Sequence, residues 1–295
     1  MKKRPFLIAL SVLGVIFLFF LGMVFTVSSL IGRSASLPVG EKVGVIEVDG
    51  VIVESKKTIE NLIDFRDNAS IKAIVLRIDS PGGGVGPSQE IFEEVKKAAD
   101  KKPLVVSMGS VAASGGYYIA VPARRILANP GTITGSIGVL MEFTNFQELL
   151  QKIGLKSHVV KSGEHKDIGS PVRPMTEEDR QILQSLIDDV HQQFMTAVAE
   201  GRKMEEQKVR ALADGRIFTG RQALAAGLID ELGNLQDAVA AAANMAGISG
   251  EPKVVYPPRE RPGFIEYLIQ ETATSLKRGL HEQAAGLQYK WAGID

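Results

Sequence analysis

An α/β domain with a largely parallel sheet is what the sequence predicts, on three observations. Short apolar runs alternate with helical patterns, glycine-rich turns close several of those runs, and no internal repeat interrupts the series. Sites in such folds gather at the carboxyl ends of strands. Residues 42–53 alternate and then run apolar, as a strand pair around a turn. Residues 72–79 make a second strand, which empties into Ser80-Pro-Gly-Gly-Gly-Val-Gly86 ahead of a helix with Ile91, Phe92, Val95 and Ala98 on one face. A third strand, 103–107, leads into Ser107-Met-Gly-Ser-Val-Ala-Ala-Ser-Gly-Gly-Tyr-Tyr118 and a buried helix over 117–123. Further on come a short strand at 125–128, a glycine-rich stretch at 129–139, a helix at 146–150, a strand at 157–161 and a loop at 162–171. Thr176-Glu-Glu-Asp179 resembles a capping box that opens a helix whose stripe of Ile182, Leu183, Leu186, Ile187, Val190 and Phe194 reads as core. Short helices with glycine caps fill 211–233, and an alanine-rich helix runs to about Met245.

The domain expected over 42–250 has flanks of different character. Residues 1–5 are basic, and 6–32 carry no charge and are dominated by Leu, Ile, Val and Phe. About 20 apolar residues cross a bilayer, whereas the apolar region of a signal peptide is about 7–15, so an uncleaved transmembrane anchor is favoured over cleavage near Ser34-Ala35-Ser36. Lys2, Lys3 and Arg4 precede the span and Arg33 alone directly follows it, which leaves the N-terminus cytoplasmic and the domain extracytoplasmic. A linker occupies 33–41. Residues 251–295 form a proline-containing linker and an amphipathic tail, for which folding back towards the substrate groove is the sharper of two expectations and simple packing or solvation the other.

Composition excludes several classes. Lys+Arg and Asp+Glu balance at 34 each, so no basic field points to nucleic acid, and with no cysteine there is neither a disulfide framework nor a thiolate nucleophile. The loop at 80–86 lacks the Gly-Lys-Ser/Thr of a P-loop and the spacing of a dinucleotide fingerprint. No cofactor and no metal site is expected.

What stands out is Ser114, set among small residues directly before Gly115 and Gly116. Such a stretch suits a nucleophile whose neighbouring N–H groups bind an oxyanion, and equally a tight turn at a strand end. Gly82 or Gly83 could supply one donor and Gly115 the other. A serine needs a base. Of four histidines, His158 lies in a strand pattern, His191 on the striped helix and His281 in the tail, where packing, solvation or capping is the expected role. Only His165 shares a loop with another candidate, Lys166. A lysine base must be neutral, so burial has to favour loss of its proton, and the adjacent Asp167 would oppose this unless it faces away. In an extended segment neighbouring side chains do point to opposite faces.

The segments Asp79-Ser-Pro-Gly-Gly-Gly-Val85, 107–118, Thr134-Gly-Ser-Ile-Gly-Val139, Lys161-Ser-Gly-Glu-His-Lys-Asp-Ile-Gly-Ser-Pro171 and Ala213-Asp-Gly-Arg-Ile-Phe-Thr-Gly-Arg-Gln-Ala223 together resemble those of the signal peptide peptidase SppA family, in the right order over about 42–245. The likeness is to the short, single-repeat form of these bacterial serine-lysine proteases. It implies a ClpP/crotonase-like spiral of ββα units, with Ser114 as nucleophile, Lys166 rather than Lys161 as general base, Ser136 orienting the lysine, and Gly83 and Gly115 as oxyanion donors. It also implies a ring-like homo-oligomer in which Lys166 can serve a neighbour's Ser114. The expected function is a membrane-anchored endopeptidase that hydrolyses remnant signal peptides and other unfolded polypeptides through an acyl-enzyme, with a groove suited to small or apolar side chains. Two alternatives remain at this point: an acyl-CoA enzyme of the crotonase type, whose glycine donors would hold a thioester enolate, and a non-catalytic membrane scaffold.

Overall fold

The computed structural model describes residues 13, 14, 16–23 and 41–258. Residues 13, 14 and 16–23 are helical, with exposed apolar side chains. No helix among the described residues is long and apolar enough to cross a membrane. The remainder of the span expected over 6–32, the N-terminal residues 1–5, the linker up to position 40 and the tail beyond 258, with His281, lie outside the described residues.

The strands are β1 (Lys42–Asp49), β2 (Ile71–Ser80), β3 (Leu104–Ala113), β4 (Arg125–Ala128), β5 (Ile133–Gly135), β6 (Ile217–Thr219), β7 (Glu231–Leu232) and β8 (Lys253–Val255). The helices are α1 (Lys56–Asp67), α2 (Val85–Lys101), α3 (Gly115–Ala120), α4 (Gln147–Lys152), α5 (Glu177–Arg202), α6 (Glu206–Leu212), α7 (Gly220–Ala226) and α8 (Leu235–Met245). The strands form one sheet in the order β6-β5-β3-β2-β1-β8, with β4 and β7 branching from β3. Every pairing is parallel except β5 with β6. The expected α/β class with a largely parallel sheet is therefore what the chain adopts.

Both faces of this sheet are covered, which is why β1 and β2 read as near-continuous apolar runs. Val43, Val45, Ala73 and Val75 point to one face and pack on Ala238, Val239, Ala242 and Ala243 of α8. Their alternates Ile46, Ile74 and Leu76 point to the other, against Leu62 and Phe65 of α1 and Ile91 and Val95 of α2. Gly44 leaves room for Phe65, whose ring would meet a Cβ there. Tyr117 of α3 is fully buried, and its hydroxyl donates to the Leu228 carbonyl at 2.8 Å. Burial pushes that phenol well above its usual pKa.

β3 is the strand that organises the rest. Its first half pairs with β4 and its second half with β5, and between them two residues of β2 span four of β3: Ile78 pairs Met108 and Ser80 pairs Ala112. The excess residues are held by Asp79, whose carboxylate accepts from Ser110 N at 3.2 Å and Val111 N at 3.1 Å. Gly109 sits where a Cβ would collide with that carboxylate. The bulge shifts the register, and beyond it the end of β3 pairs with β5, which in turn pairs with β6.

Several local expectations change. Residues 42–53 are not a hairpin: β1 ends at a left-handed turn on Gly50 (φ 73°), and Ile52 then makes a parallel bridge to Gly83. The helix α1 follows, with Ile59, Leu62 and Phe65 facing inwards, although no element was read there. The third strand extends past 107 to Ala113, immediately before the candidate serine. Residues 157–161 are not a strand; Val160 is fully exposed. The capping box forms as expected, Thr176 accepting from Asp179 N and Asp179 from Thr176 N. The stripe that follows is core only at its far end: Phe194 is buried, Leu183, Ile187 and Val190 are half-buried, and Ile182 and Leu186 are exposed. The helix is twice as long as its supporting core, so its first half projects. The sheet also runs past 250, because β8 pairs with β1.

Candidate active site

Ser114 lies between the last residue of β3 and the first of α3, in a conformation that side chains seldom accept (φ 53°, ψ −120°). Of the three described non-glycine residues with positive φ, two are Ser114 and Ser136 (φ 51°). Strain of this kind costs about 1–3 kcal/mol per residue and survives only where the surroundings impose it. The surroundings are visible: Ser114 N donates to the Gly135 carbonyl at 2.8 Å, Tyr118 N to the Ser114 carbonyl at 2.8 Å, and Ser136 N to the Arg216 carbonyl at 2.9 Å. Thr132 and Thr134 hydroxyls clamp the carbonyls of Gly109 at 2.6 Å and Ala112 at 2.7 Å.

The two glycine turns meet here. Gly82 takes φ 100°, and a Cβ on it would lie 2.6 Å from Gly115 N. At Gly83 a Cβ would strike the Ile52 carbonyl, and at Gly115 one would lie 2.6 Å from Ser88 Oγ and 3.2 Å from Gly83 N. Backbone therefore packs on backbone with no room for side chains, which is the reason for glycine at these positions. Gly84 N and Ile52 N are used in the bridge, whereas the N–H groups of Gly83 and Gly115 donate to no other group among the described residues. Two free donors thus flank the Ser114 side chain.

Ser114, Ser136, Gly83 and Gly115 all border one cavity of about 670 Å³, closed by Tyr118 and by the projecting half of α5. Phe92 and Phe194 brace Tyr118 with ring centroids 4.7 Å and 4.9 Å away. Among the described residues no cluster of His, Cys, Asp and Glu could hold a metal ion. His191, expected to be solvated or capping, borders the cavity too.

Lys166 is elsewhere. It lies on an exposed turn, does not border the cavity, and its Nζ has no hydrogen bond or ion pair among the described residues. Lys161, by contrast, is engaged: its Nζ pairs with Asp167 at 2.7 Å. Asp167 in turn accepts from Arg173 Nε at 2.9 Å, and Arg173 reaches the buried Asp179 of the capping box. The Arg173 guanidinium, with Lys161 second, holds the Asp167 carboxyl well below the usual carboxylate range; Arg173 and the Thr176 N–H bring Asp179 down to about 2. Asp167 is thus engaged by Lys161 and Arg173, and the segment around it is a turn rather than the extended stretch in which neighbours would alternate. His165 faces Glu178 at 3.6 Å, and His158 is exposed. Sequence reasoning passed over Asp79, Ser88 and His191; the first two carry no signal in a single sequence, whereas His191 shares a helical face with Gln184, Ile187, Asp188 and Phe194.

Comparison with known proteins agrees with this geometry. The peptidase family S49 model matches residues 96–249, and the Clp protease model matches 47–129. A Synechocystis sp. protein named as a protease is 46% identical over 209 residues, covering 70% of this chain and 76% of its own. An Enterococcus faecium protein named signal peptide peptidase SppA is 34% identical over 213 residues, covering 68% and 62%. Among solved structures, a mutant of the 1510-N membrane-bound stomatin-specific protease shares the fold, with TM-score 0.51 and 15% identity over 75% of this chain and all of that one. Sequence match, fold and the strained serine between two free N–H groups converge on one conclusion: the chain belongs to peptidase family S49, the SppA family of serine proteases.

Proposed function

We propose that this serine protease is a membrane-anchored endopeptidase that cleaves remnant signal peptides and other unfolded polypeptides with a Ser-Lys dyad, Ser114 and Lys166. The observation that carries the reading is the strained Ser114 beside the unpaired N–H groups of Gly83 and Gly115, inside a cavity large enough for a peptide side chain. Lys166 Nζ, unprotonated, takes the Ser114 hydroxyl proton as Oγ adds to the scissile carbonyl carbon. The carbonyl oxygen becomes an oxyanion held by the two N–H groups. Collapse of the tetrahedral adduct breaks the C–N bond, the lysine returns its proton to the leaving amine, and an ester on Ser114 remains. Water then adds with Lys166 again as base, releasing the acid and restoring Oγ–H. Ser136 acts by accepting from and orienting the lysine.

Within one chain Lys166 is exposed and does not border the cavity, which favours a site completed between copies: the turn carrying Lys166 enters the cavity of a neighbour in a ring-like homo-oligomer. The apolar side chains exposed from 139 to 160, Leu140, Phe146, Leu149 and Ile153 among them, suit such a contact. The charge-free segment at 6–32 supplies the lipid anchor and places an apolar substrate and its enzyme in one bilayer.

Mixing Ser114→Ala with Lys166→Ala protein tests both the dyad and its division between chains. Each variant alone is expected to be inactive on a quenched fluorescent peptide, and unfolding and reassembling the two together is expected to restore turnover. A mixture as inactive as its parts would overturn the division between chains; near-normal turnover by either variant alone would overturn the dyad.

A further inference from the structure

We infer that His191 is a substrate-binding residue, donating a hydrogen bond from Nδ1–H to an oxygen acceptor of the bound peptide. The inference rests on the Ser114 cavity being the peptide site. His191 borders that cavity from α5, and its Nε2 is the one buried side-chain nitrogen or oxygen without a hydrogen-bond partner among the described residues. A buried N–H with no acceptor and a buried lone pair with no donor both lose their water, but orphaned N–H groups are the rarer in folded proteins. The ring hydrogen is therefore placed on Nδ1, which is not sealed in and has no hydrogen-bond partner among the described residues.

Apart from Ser114, Ser136 and the N–H groups of Gly83 and Gly115, which serve the proposed chemistry, several polar side chains of the same walls are already engaged. Gln184 donates to Asp188 at 2.7 Å, Gln89 to Gln193 at 2.8 Å, and Ser88 to the Gly84 carbonyl at 2.8 Å. Asp214 is held by the Arg216 guanidinium. Around them the walls are Tyr118, Ile187, Val190 and Phe194. Beyond the groups around Ser114, a mostly apolar wall with one uncommitted side-chain N–H recognises a peptide segment that buries hydrocarbon and offers an oxygen at a fixed place. A peptide main chain supplies such an oxygen from any residue; a glutamine or serine side chain supplies it only at its own position.

The test uses the full chain in detergent with Ser114→Ala, so that peptides bind without turnover, and reads anisotropy of fluorescein-labelled peptides of leucine and alanine. His191→Phe keeps a ring and removes the donor; binding about tenfold weaker is expected. His191→Asn places an amide N–H where Nδ1 was and should stay within about threefold of histidine, whereas His191→Gln reaches to the Nε2 position and should bind as weakly as phenylalanine. Should the phenylalanine variant fail to fold, the asparagine and glutamine pair carries the same comparison. Equal losses for every peptide identify a main-chain acceptor; losses confined to peptides in which glutamine or serine replaces a leucine identify a side-chain one. Unchanged binding by His191→Phe, or equal binding by the asparagine and glutamine variants, overturns the inference. A fluorophosphonate probe on the chain with native Ser114 separates the two levels. Labelling of Ser114 without any His191 effect removes only the histidine's role; absence of both labelling and peptide binding removes the site, and the inference with it.

Discussion

Around Ser114 the backbone is locked by ladder hydrogen bonds, a buried sheet and glycines with no room for a Cβ, whereas the segment from 139 to 175 that carries Lys166 contains one short helix and exposes most of its apolar side chains. That second region is held mainly by polar ties: Phe146 N to the Pro171 carbonyl, Asn145 to the Arg173 carbonyl, and the Lys161, Asp167, Arg173 and Asp179 chain of charges. Apolar burial is cumulative and indifferent to pH, while a chain of ion pairs is titratable, even where its acids are largely covered as at Asp167 and Asp179. The comparison teaches that the two halves of the proposed dyad are positioned by different physics. The proposed nucleophile is fixed by folding of the chain itself, and the proposed base is carried on a segment that finds little apolar cover among the described residues.

The largest effect should separate the two lysines of that segment. Lys166→Ala is expected to lower kcat by about 10³–10⁴ with no change in thermal midpoint, since the exposed Nζ makes no hydrogen bond or ion pair among the described residues. Lys161→Ala, which removes an ion pair from Asp167, should cost less than about tenfold in rate. Steady-state kinetics and calorimetry on the pair settle the assignment; an equal rate loss for both would reverse it.

A glycine substitution in each region gives the next contrast. Gly109→Ala forces a Cβ into the Asp79 carboxylate and shifts the bulge that leads to Ser114, so kcat should fall by about 10²-fold. Gly163→Ala, with no atom within 4 Å of its Cβ, should be silent. A fluorophosphonate labelling rate that drops for Gly109→Ala in step with kcat ties the loss to the serine; a normal labelling rate would break that tie.

The smallest effect is on pH. Asp167 and Asp179 are depressed by Arg173 in the folded chain, so their contribution is complete above the ordinary carboxylate pKa of about 3.9 and is lost as pH falls through the lowered values. Between about pH 4 and pH 2, hydrogen exchange should rise at Phe146 and Arg180 before it rises at Val45 and Val75 of the core. Exchange that rises in both regions together would show that the two are not independent.

Much of the core was legible because parallel strands covered on both faces write themselves as apolar runs, as at Ile71–Ser80, and because Thr176 and Asp179 form a cap from four consecutive residues. The glycine turns on either side of Ser114 were legible for a similar reason, since only glycine fits where backbones touch. What failed did so where a local pattern had two uses. The stripe on α5 has the spacing of a buried face, yet at Ile182 and Leu186 no element among the described residues covers it. Residues 42–53 have the alternation of a hairpin, but Ile52 finds its partner in Gly83, far along the chain.

By itself, then, the sequence determined the α/β class, the order of most elements, the glycine turns and the family to which Ser114 belongs, because each depends on spacing within a few residues or on several motifs read together. Tertiary structure decided the rest: that the Asp79 carboxylate holds the bulge in β3, that the N–H groups of Gly83 and Gly115 have no partner among the described residues, that His191 borders the cavity, and that Lys166 does not. These are relations between residues distant in sequence, set by how whole elements pack, and no local pattern encodes them.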